Sequence, residues 1–246
     1  MLNVLVTGAA RGLGLELVKR YSLQLPDNGL VIATSRKSSP DLEELVCDCK
    51  SKVFFVEMDI SSEESILQSV ETVKSLLPDK ALDILINNAG VHSWTNGGIS
   101  EICPDLLDAL ESLLTITFYL SSSPWGSTTS ARSFLYAPCP AYKISKAALN
   151  SLTVQYALFY EADGFIFLCV NPGVSTTLSY WERKYILIIS QWLRTEMGGS
   201  DGDLSAEEGA NAVTGIISSA SQGSNGRFKT ICLPGYEQYD GKDVLW

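Results

Sequence analysis

The stretch LNVLVTGAARGLG, residues 2–14, decides how this chain is read. Leu2–Thr7 is a short apolar run with the length of a buried strand, and the amphipathic Leu13–Leu25 follows it at once. Between them lie Gly8, Gly12 and Gly14. Small residues at such a turn let the backbone approach a pyrophosphate, and the N-terminus of the following helix favours its negative charge. A tight strand–helix turn needs glycine even without a ligand. What carries the dinucleotide reading is its place, directly after the first strand. Gly8, Arg11, Gly12, Leu13 and Gly14 are therefore candidate cofactor-binding residues.

Outward from this turn, apolar runs alternate with helical patterns. Strands are expected at Leu30–Ser35, Lys52–Glu57, Leu82–Ile86, Thr115–Ser121, Phe165–Val170 and Arg227–Leu233. Helices are expected at Pro40–Cys49, Ser62–Leu77 and Ala141–Ala162, and Gly198–Asp203 and Ser218–Gly226 read as loops. Alternation of this kind implies an α/β fold, a Rossmann-type doubly wound parallel sheet with helices on both faces. With no repeat or linker to split it, the chain reads as one domain over 1–246. Ligands in such sheets bind beyond the carboxyl ends of the strands.

Hydrophobic residues are 46% and charged residues 19%, enough to fill a core and unlike a disordered chain. The net charge of −10 argues against a nucleic-acid partner, which needs a basic face. The most apolar later run, Tyr185–Ser190, is too short to span a bilayer, so no membrane partner is expected. Cys47 and Cys49 lack a second ligand pair and His92 is the one histidine, so no metal site is expected. Scattered thiols and the lack of a basic leader suit a cytoplasmic protein.

The second strand ends Ser35-Arg36-Lys37, without the acid that would accept a ribose 2′-hydroxyl. Arg36 and Arg11 suit a 2′-phosphate instead, favouring NADP(H) over NAD(H), although both can equally be solvated surface cations. Tyr142 and Lys146 stand four apart at the start of the long helix, on one face. An ammonium beside a phenol is expected to lower its pKa and make it a proton donor and acceptor. Ser121-Ser122-Ser123 closes the fifth strand, where a hydroxyl could polarise a carbonyl oxygen.

Together, Thr7–Gly14, Asp59, Asn87-Asn88-Ala89-Gly90, Ser123, Tyr142 with Lys146, and Asn171-Pro172-Gly173 closely resemble the short-chain dehydrogenase/reductase family over nearly the whole chain. The ending Tyr239–Trp246, Ser122–Ser127 and Ala141–Asn150 are similar to its C-factor and sniffer-type carbonyl reductase branch. The resemblance implies an NADPH-dependent oxidoreductase that reduces a small-molecule ketone or aldehyde, or oxidises the alcohol. In it Tyr142 protonates the carbonyl oxygen, Lys146 holds the ribose and depresses the tyrosine pKa, and Ser123 orients the substrate. Asp59 and Ile60 meet the adenine, and Asn88, Ala89 and Gly90 the adenosine ribose side. Pro172, Gly173 and the threonine after them hold the carboxamide.

Two departures from the family stand out. Its Pro-Gly turn usually continues Pro-Gly-Trp-x-x-Thr-x-x-Gly-Gly, which here resumes only at Trp192-Leu-Arg-Thr195-Glu-Met-Gly-Gly. Val174–Gln191 is an insertion within the substrate-loop region 174–204, and both Thr177 and Thr195 are candidates for the carboxamide. Val174-Ser175 can be encoded GTAAGT and Gln191 CAG, which suits a retained intron; a real substrate-lid insertion is the rival reading. The second departure is a helix before the fifth strand shortened to Pro104–Leu114, roughly 16 Å against roughly 33 Å for Ala141–Ala162. About twenty residues, including the family's catalytic asparagine, are missing there, more than a crossover of a dozen residues can spare. In the family that helix packs against a second subunit, so the homodimer interface would be truncated and the proton relay to Tyr142 would lose its anchor. The expectation is a chain that is poorly stable, weakly active, or both. A catalytically impaired dinucleotide-binding protein of the same fold is therefore the alternative function.

Overall fold

The computed structural model describes residues 2–49, 51–77, 81–90, 119–135, 139–173, 175–177, 189–191, 193–195 and 204–246. Seven parallel strands form the central sheet: β1 (Asn3–Thr7), β2 (Leu30–Ser35), β3 (Val53–Glu57), β4 (Ile84–Asn87), β5 (Tyr119–Ser121), β6 (Leu168–Asn171) and, last in the chain, β11 (Arg227–Thr230). Their order is β11-β6-β5-β4-β1-β2-β3. The strand order reverses beside β1, and there the glycine turn emerges, at the point where open α/β sheets bind ligands.

The sheet is covered on both faces, and β1 is buried along its whole length. Side chains alternate across it. Val4, Val6, Val31 and Ala33 enter the larger core with Leu17, Val18, Val213 and Ile217, while Leu5 and Ile32 enter the smaller one with Val56 and Leu77. Each large aliphatic buried this way contributes about 1.5–3 kcal/mol. The helices are α1 (Gly12–Gln24), α2 (Pro40–Asp48), α3 (Glu63–Leu76), α4 (Pro140–Phe159) and α5 (Ala206–Ser218). Ser39, Ser62 and Ser205 cap α2, α3 and α5, each accepting from a backbone N–H three residues on.

Several expectations are corrected. The long helix ends at Phe159, where the backbone turns through a 3-10 segment at Glu161–Asp163 and a left-handed Gly164. Phe165–Phe167 precede β6 and do not belong to it; Phe165 and Phe167 pack with Tyr160 in an aromatic cluster that Tyr156 joins. Helix α5 was not anticipated. Two further pairs lie outside the sheet: β7 (Ser175–Thr177) runs antiparallel to β8 (Ile189–Gln191), and β9 (Leu193–Arg194) runs parallel to β10 (Leu204–Ser205). The Pro104–Leu114 helix, most of the Val174–Gln191 segment, His92, Trp94, Tyr136 and Trp192 lie outside the described residues.

Candidate active site

The glycine turn is assembled from backbone contact. Gly8 has φ +67°, and a Cβ on it would come within 2.8 Å of the Ala89 Cα. A Cβ on Gly14 would strike the Gly8 carbonyl oxygen and lie 2.6 Å from Asn88 Nδ2. That amide donates to the carbonyls of Thr7 at 3.0 Å and Gly8 at 3.3 Å, while Thr7 Oγ1 accepts from the N–H groups of Asn88 and Ala89. Asn88 and Ala89 thus hold the turn itself. Among the described residues, a Cβ on Gly90 would meet only the Asn88 carbonyl oxygen, at 4.0 Å. Helix α1 opens at Arg11 with no side-chain cap and no acid in its first turn, whereas α2, α3 and α5 each begin with two acids. An uncapped, acid-free N-terminus above a turn this close to its neighbours fits a dinucleotide pyrophosphate.

At the end of β2, Arg36 and Lys37 are exposed, as is Arg11. Asp59 lies at the neighbouring end of β3, held below the usual carboxylate range by hydrogen bonds from the Ser61 backbone and side chain and, less strongly, by Arg36. Ile60 beside it is partly buried. Ser39 Oγ donates to the Ala10 carbonyl at 2.5 Å, tying the start of α2 to the glycine turn.

Across the cleft, the end of β5 meets α4. Ser123 is almost completely buried and hydrogen-bonds to the Tyr142 side chain. Lys146 Nζ donates to the Ser121 carbonyl at 2.8 Å and sits 5.6 Å from the centre of the Tyr142 ring. Ser122 Oγ donates to Asn150 Oδ1 at 2.5 Å. Tyr142 differs from expectation. Burial pushes its pKa up to about 12, with the Ser123 hydrogen bond pulling the other way. The Lys146 ammonium, over the ring and bonded to a carbonyl, does not reverse this; burial in turn lowers Lys146 to about 8. In this state desolvation outweighs the charge partner.

Gly126 is a close-contact position whose reason the sequence did not reveal. A Cβ there would come within 2.7 Å of the Lys146 backbone and Cβ, so glycine sets how closely the β5 end approaches α4. Leu13, Asn88, Ser121 and Pro172 line one common cleft. Asn171 Oδ1 accepts from Gly173 N–H at 3.3 Å, and Gly173, with φ +126°, packs against Leu204, Ile231 and Tyr239. Thr195 sits against the glycine turn, its Cγ2 3.3 Å from where a Gly12 Cβ would stand. Leu193 holds it there, pairing with Leu204 and packing so tightly on Gly209 of α5 that a Cβ would approach it at 2.6 Å. The backbone of Thr177 lies in the hairpin, opposite Ile189. Among the described residues no three His, Cys, Asp or Glu gather into a metal-binding group.

A sheet of this order, with a glycine turn at its reversal and Ser123, Tyr142 and Lys146 gathered where β5 meets α4, is a Rossmann-type α/β fold. The family model for short chain dehydrogenases matches residues 2–114. The short-chain dehydrogenase RED3 of Pyricularia oryzae is 28% identical over 91% of this chain and 92% of its own. The NADPH-bound carbonyl reductase from chicken fatty liver superposes with a TM-score of 0.79 at 24% identity, covering 99% of this chain and 98% of that one. The carbonyl reductase Sniffer of D. melanogaster gives 0.78 at 23% identity over the full length of both. Over residues 2–114 the chain is thus similar to the short chain dehydrogenases, and over its full length it shares the fold of these reductases.

Proposed function

We propose that this protein is an NADPH-dependent carbonyl reductase acting on a small ketone or aldehyde. The observation that carries the reading is the Ser123–Tyr142 hydrogen bond with the Lys146 ammonium over the same ring. Gly8, Gly12 and Gly14 with the N-terminus of α1 would hold the pyrophosphate, Arg11 and Arg36 the 2′-phosphate, Asp59 and Ile60 the adenine side, and Thr195 with Pro172 and Gly173 the carboxamide. When bound, the cofactor supplies the hydride. The chain supplies the proton. A phenol held near pKa 12 stays protonated at neutral pH, which suits donation from Tyr142 Oη to a carbonyl oxygen as negative charge develops there. Ser123 would orient that oxygen. Lys146, still largely charged at neutral pH, would stabilise the phenolate left behind.

The cofactor preference is supported by two arginines and the lack of an acid at the end of β2, and the chicken neighbour is named as NADPH-bound. In this reading residues 174–204 form the substrate side. Thr195, not Thr177, takes the carboxamide role, because its side chain lies beside Gly12. Within segment 174–191, Ser175–Thr177 pairs antiparallel with Ile189–Gln191 outside the central sheet, which suits an added segment.

The test is a spectrophotometric assay of the purified full chain with NADPH or NADH and a panel of an aromatic aldehyde, an α-dicarbonyl and a quinone. Consumption of NADPH in preference to NADH, abolished in Tyr142→Phe, is the expected result. NADPH binding without turnover on any carbonyl would instead establish an impaired dinucleotide-binding protein.

A further inference from the structure

On α4, Tyr142, Lys146 and Asn150 follow at intervals of four residues, which stacks them along one side of the helix. Each meets one of three consecutive serines at the end of β5. Ser123 hydrogen-bonds to Tyr142, the Ser121 carbonyl accepts from Lys146 at 2.8 Å, and Ser122 donates to Asn150 at 2.5 Å. The first two of these rungs contain the reacting groups. The third takes no part in the chemistry above. We propose that Asn150, acting through Ser122, is a positioning residue that fixes the register of the β5 end against α4 and so holds Tyr142 and Lys146 at reacting geometry. The proposal rests on the reductase reading.

The pair is buried, each residue 3% exposed, and Asn150 Nδ2 has no hydrogen-bond partner among the described residues. A buried amide with an orphaned donor is a poor choice for packing alone, where an aliphatic side chain of similar size carries no such penalty. The Asn150 amide is explained by its oxygen, the one acceptor Ser122 uses on this helix. Ser122 is fixed from the other side as well. Its N–H donates to the Val170 carbonyl at 2.9 Å. It therefore links β6 to α4 through a single residue placed between Ser121 and Ser123. A shift of this residue moves both neighbours together, and both neighbours touch the reacting pair. Gly126 limits how far the elements can close, and the Ser122–Asn150 bond limits how far they can slide.

The test compares Ser122→Ala, Asn150→Leu, the double variant and Ser122→Thr with the parent chain. It reads kcat, KM for NADPH and the thermal midpoint, with crystal structures of the parent and the double variant. Each single variant is expected to lose about ten- to a hundredfold in kcat with KM for NADPH little changed. The double variant should lose no more than either single, because the pair acts as a unit. Removing both polar partners together should leave its thermal midpoint near the parent's. Ser122→Thr, which keeps the hydroxyl, should recover most of the rate. An unchanged kcat alongside a lowered midpoint, or losses that multiply in the double variant, would overturn the proposal. If the parent itself turns over no carbonyl, the reductase reading fails and the crystal structures decide. Displacement of the Ser123–Tyr142 and Ser121–Lys146 rungs in the double variant supports the positioning role, and rungs retained as in the parent refute it.

Discussion

The glycine turn after β1 and the serine end of β5 both lie at carboxyl ends of strands, and they differ in the balance of close contact and hydrogen bonding that holds them. At the turn, Gly8 touches Ala89 and Gly14 touches the Gly8 carbonyl with no room for a methyl group. At the β5 end, three consecutive serines are fastened to α4 by hydrogen bonds. Each region has both devices, Asn88 bonds at the turn and Gly126 at the seam, but two glycines without room for a methyl group dominate the first and three polar rungs the second. Substitutions that add bulk should therefore damage the turn, and substitutions that remove polarity should damage the β5–α4 seam.

The largest effect is expected from removing one oxygen at the seam. Tyr142→Phe should lower kcat by about 10²–10⁴-fold while NADPH still binds, which steady-state kinetics and a fluorescence titration would separate. Next comes one added carbon at the turn. Gly14→Ala should cost about 1–3 kcal/mol in chemical denaturation and weaken NADPH binding, because its Cβ meets backbone and not a flexible side chain. Gly215→Ala, at an exposed helical position where a Cβ meets nothing within 4 Å among the described residues, should lower neither. Equal effects at the two glycines would break the comparison.

A third prediction sharpens it through pH. Burial holds Lys146 at about 8 against an ordinary 10.5. In that window the unfolded chain keeps a proton that the folded chain has shed, so this group makes the protein more stable as pH rises from about 8 toward 10.5. The same loss of charge should weaken NADPH binding several-fold between about pH 7 and pH 9. Lys146→Met should flatten both dependences, as thermal melts and binding titrations across that range would reveal. The smallest effect is expected from deleting Val174–Gln191. Ser175 lies opposite Gln191 at the base of the hairpin, so Gly173 can be rejoined to Trp192 at a cost within about 1 kcal/mol. A large drop in the thermal midpoint on deletion would mean that the core depends on the segment.

Much of the turn and its neighbours was legible because the chemistry there is local in sequence. A strand, a glycine turn and an amphipathic helix occupy one continuous stretch, and the bounds of β1, β2 and β3 agree within a residue. Helix α5 was missed although Ser205 and Glu208 form a complete capping box. Its Gly209 and Gly215 lower helix propensity, and the reason for Gly209 is Leu193, which belongs to another segment. The four-residue spacing of Tyr142 and Lys146 was legible, and extending it one step would have reached Asn150. The direction of the Tyr142 shift was not, because sequence gives the spacing of a charge and a phenol but not the water excluded around them. What favours Thr195 over Thr177 in the proposal is the packing of Leu193 on α5, a contact between segments that sequence does not display.

The β7–β8 pairing has a consequence for the order of folding. The central sheet depends on parallel partners far apart in the chain, as where β5 joins β6 and β6 joins β11, and such pairings form late because long loops must close first. The antiparallel pairing of Ser175–Thr177 with Ile189–Gln191 is local by comparison, and hairpin pairings form on a timescale of about 1–10 μs. Once closed, it shortens the effective path from the Pro-Gly turn to Leu193. The search that docks Leu193 onto α5 and brings Thr195 to Gly12 then proceeds as though the intervening residues were few, whatever their number.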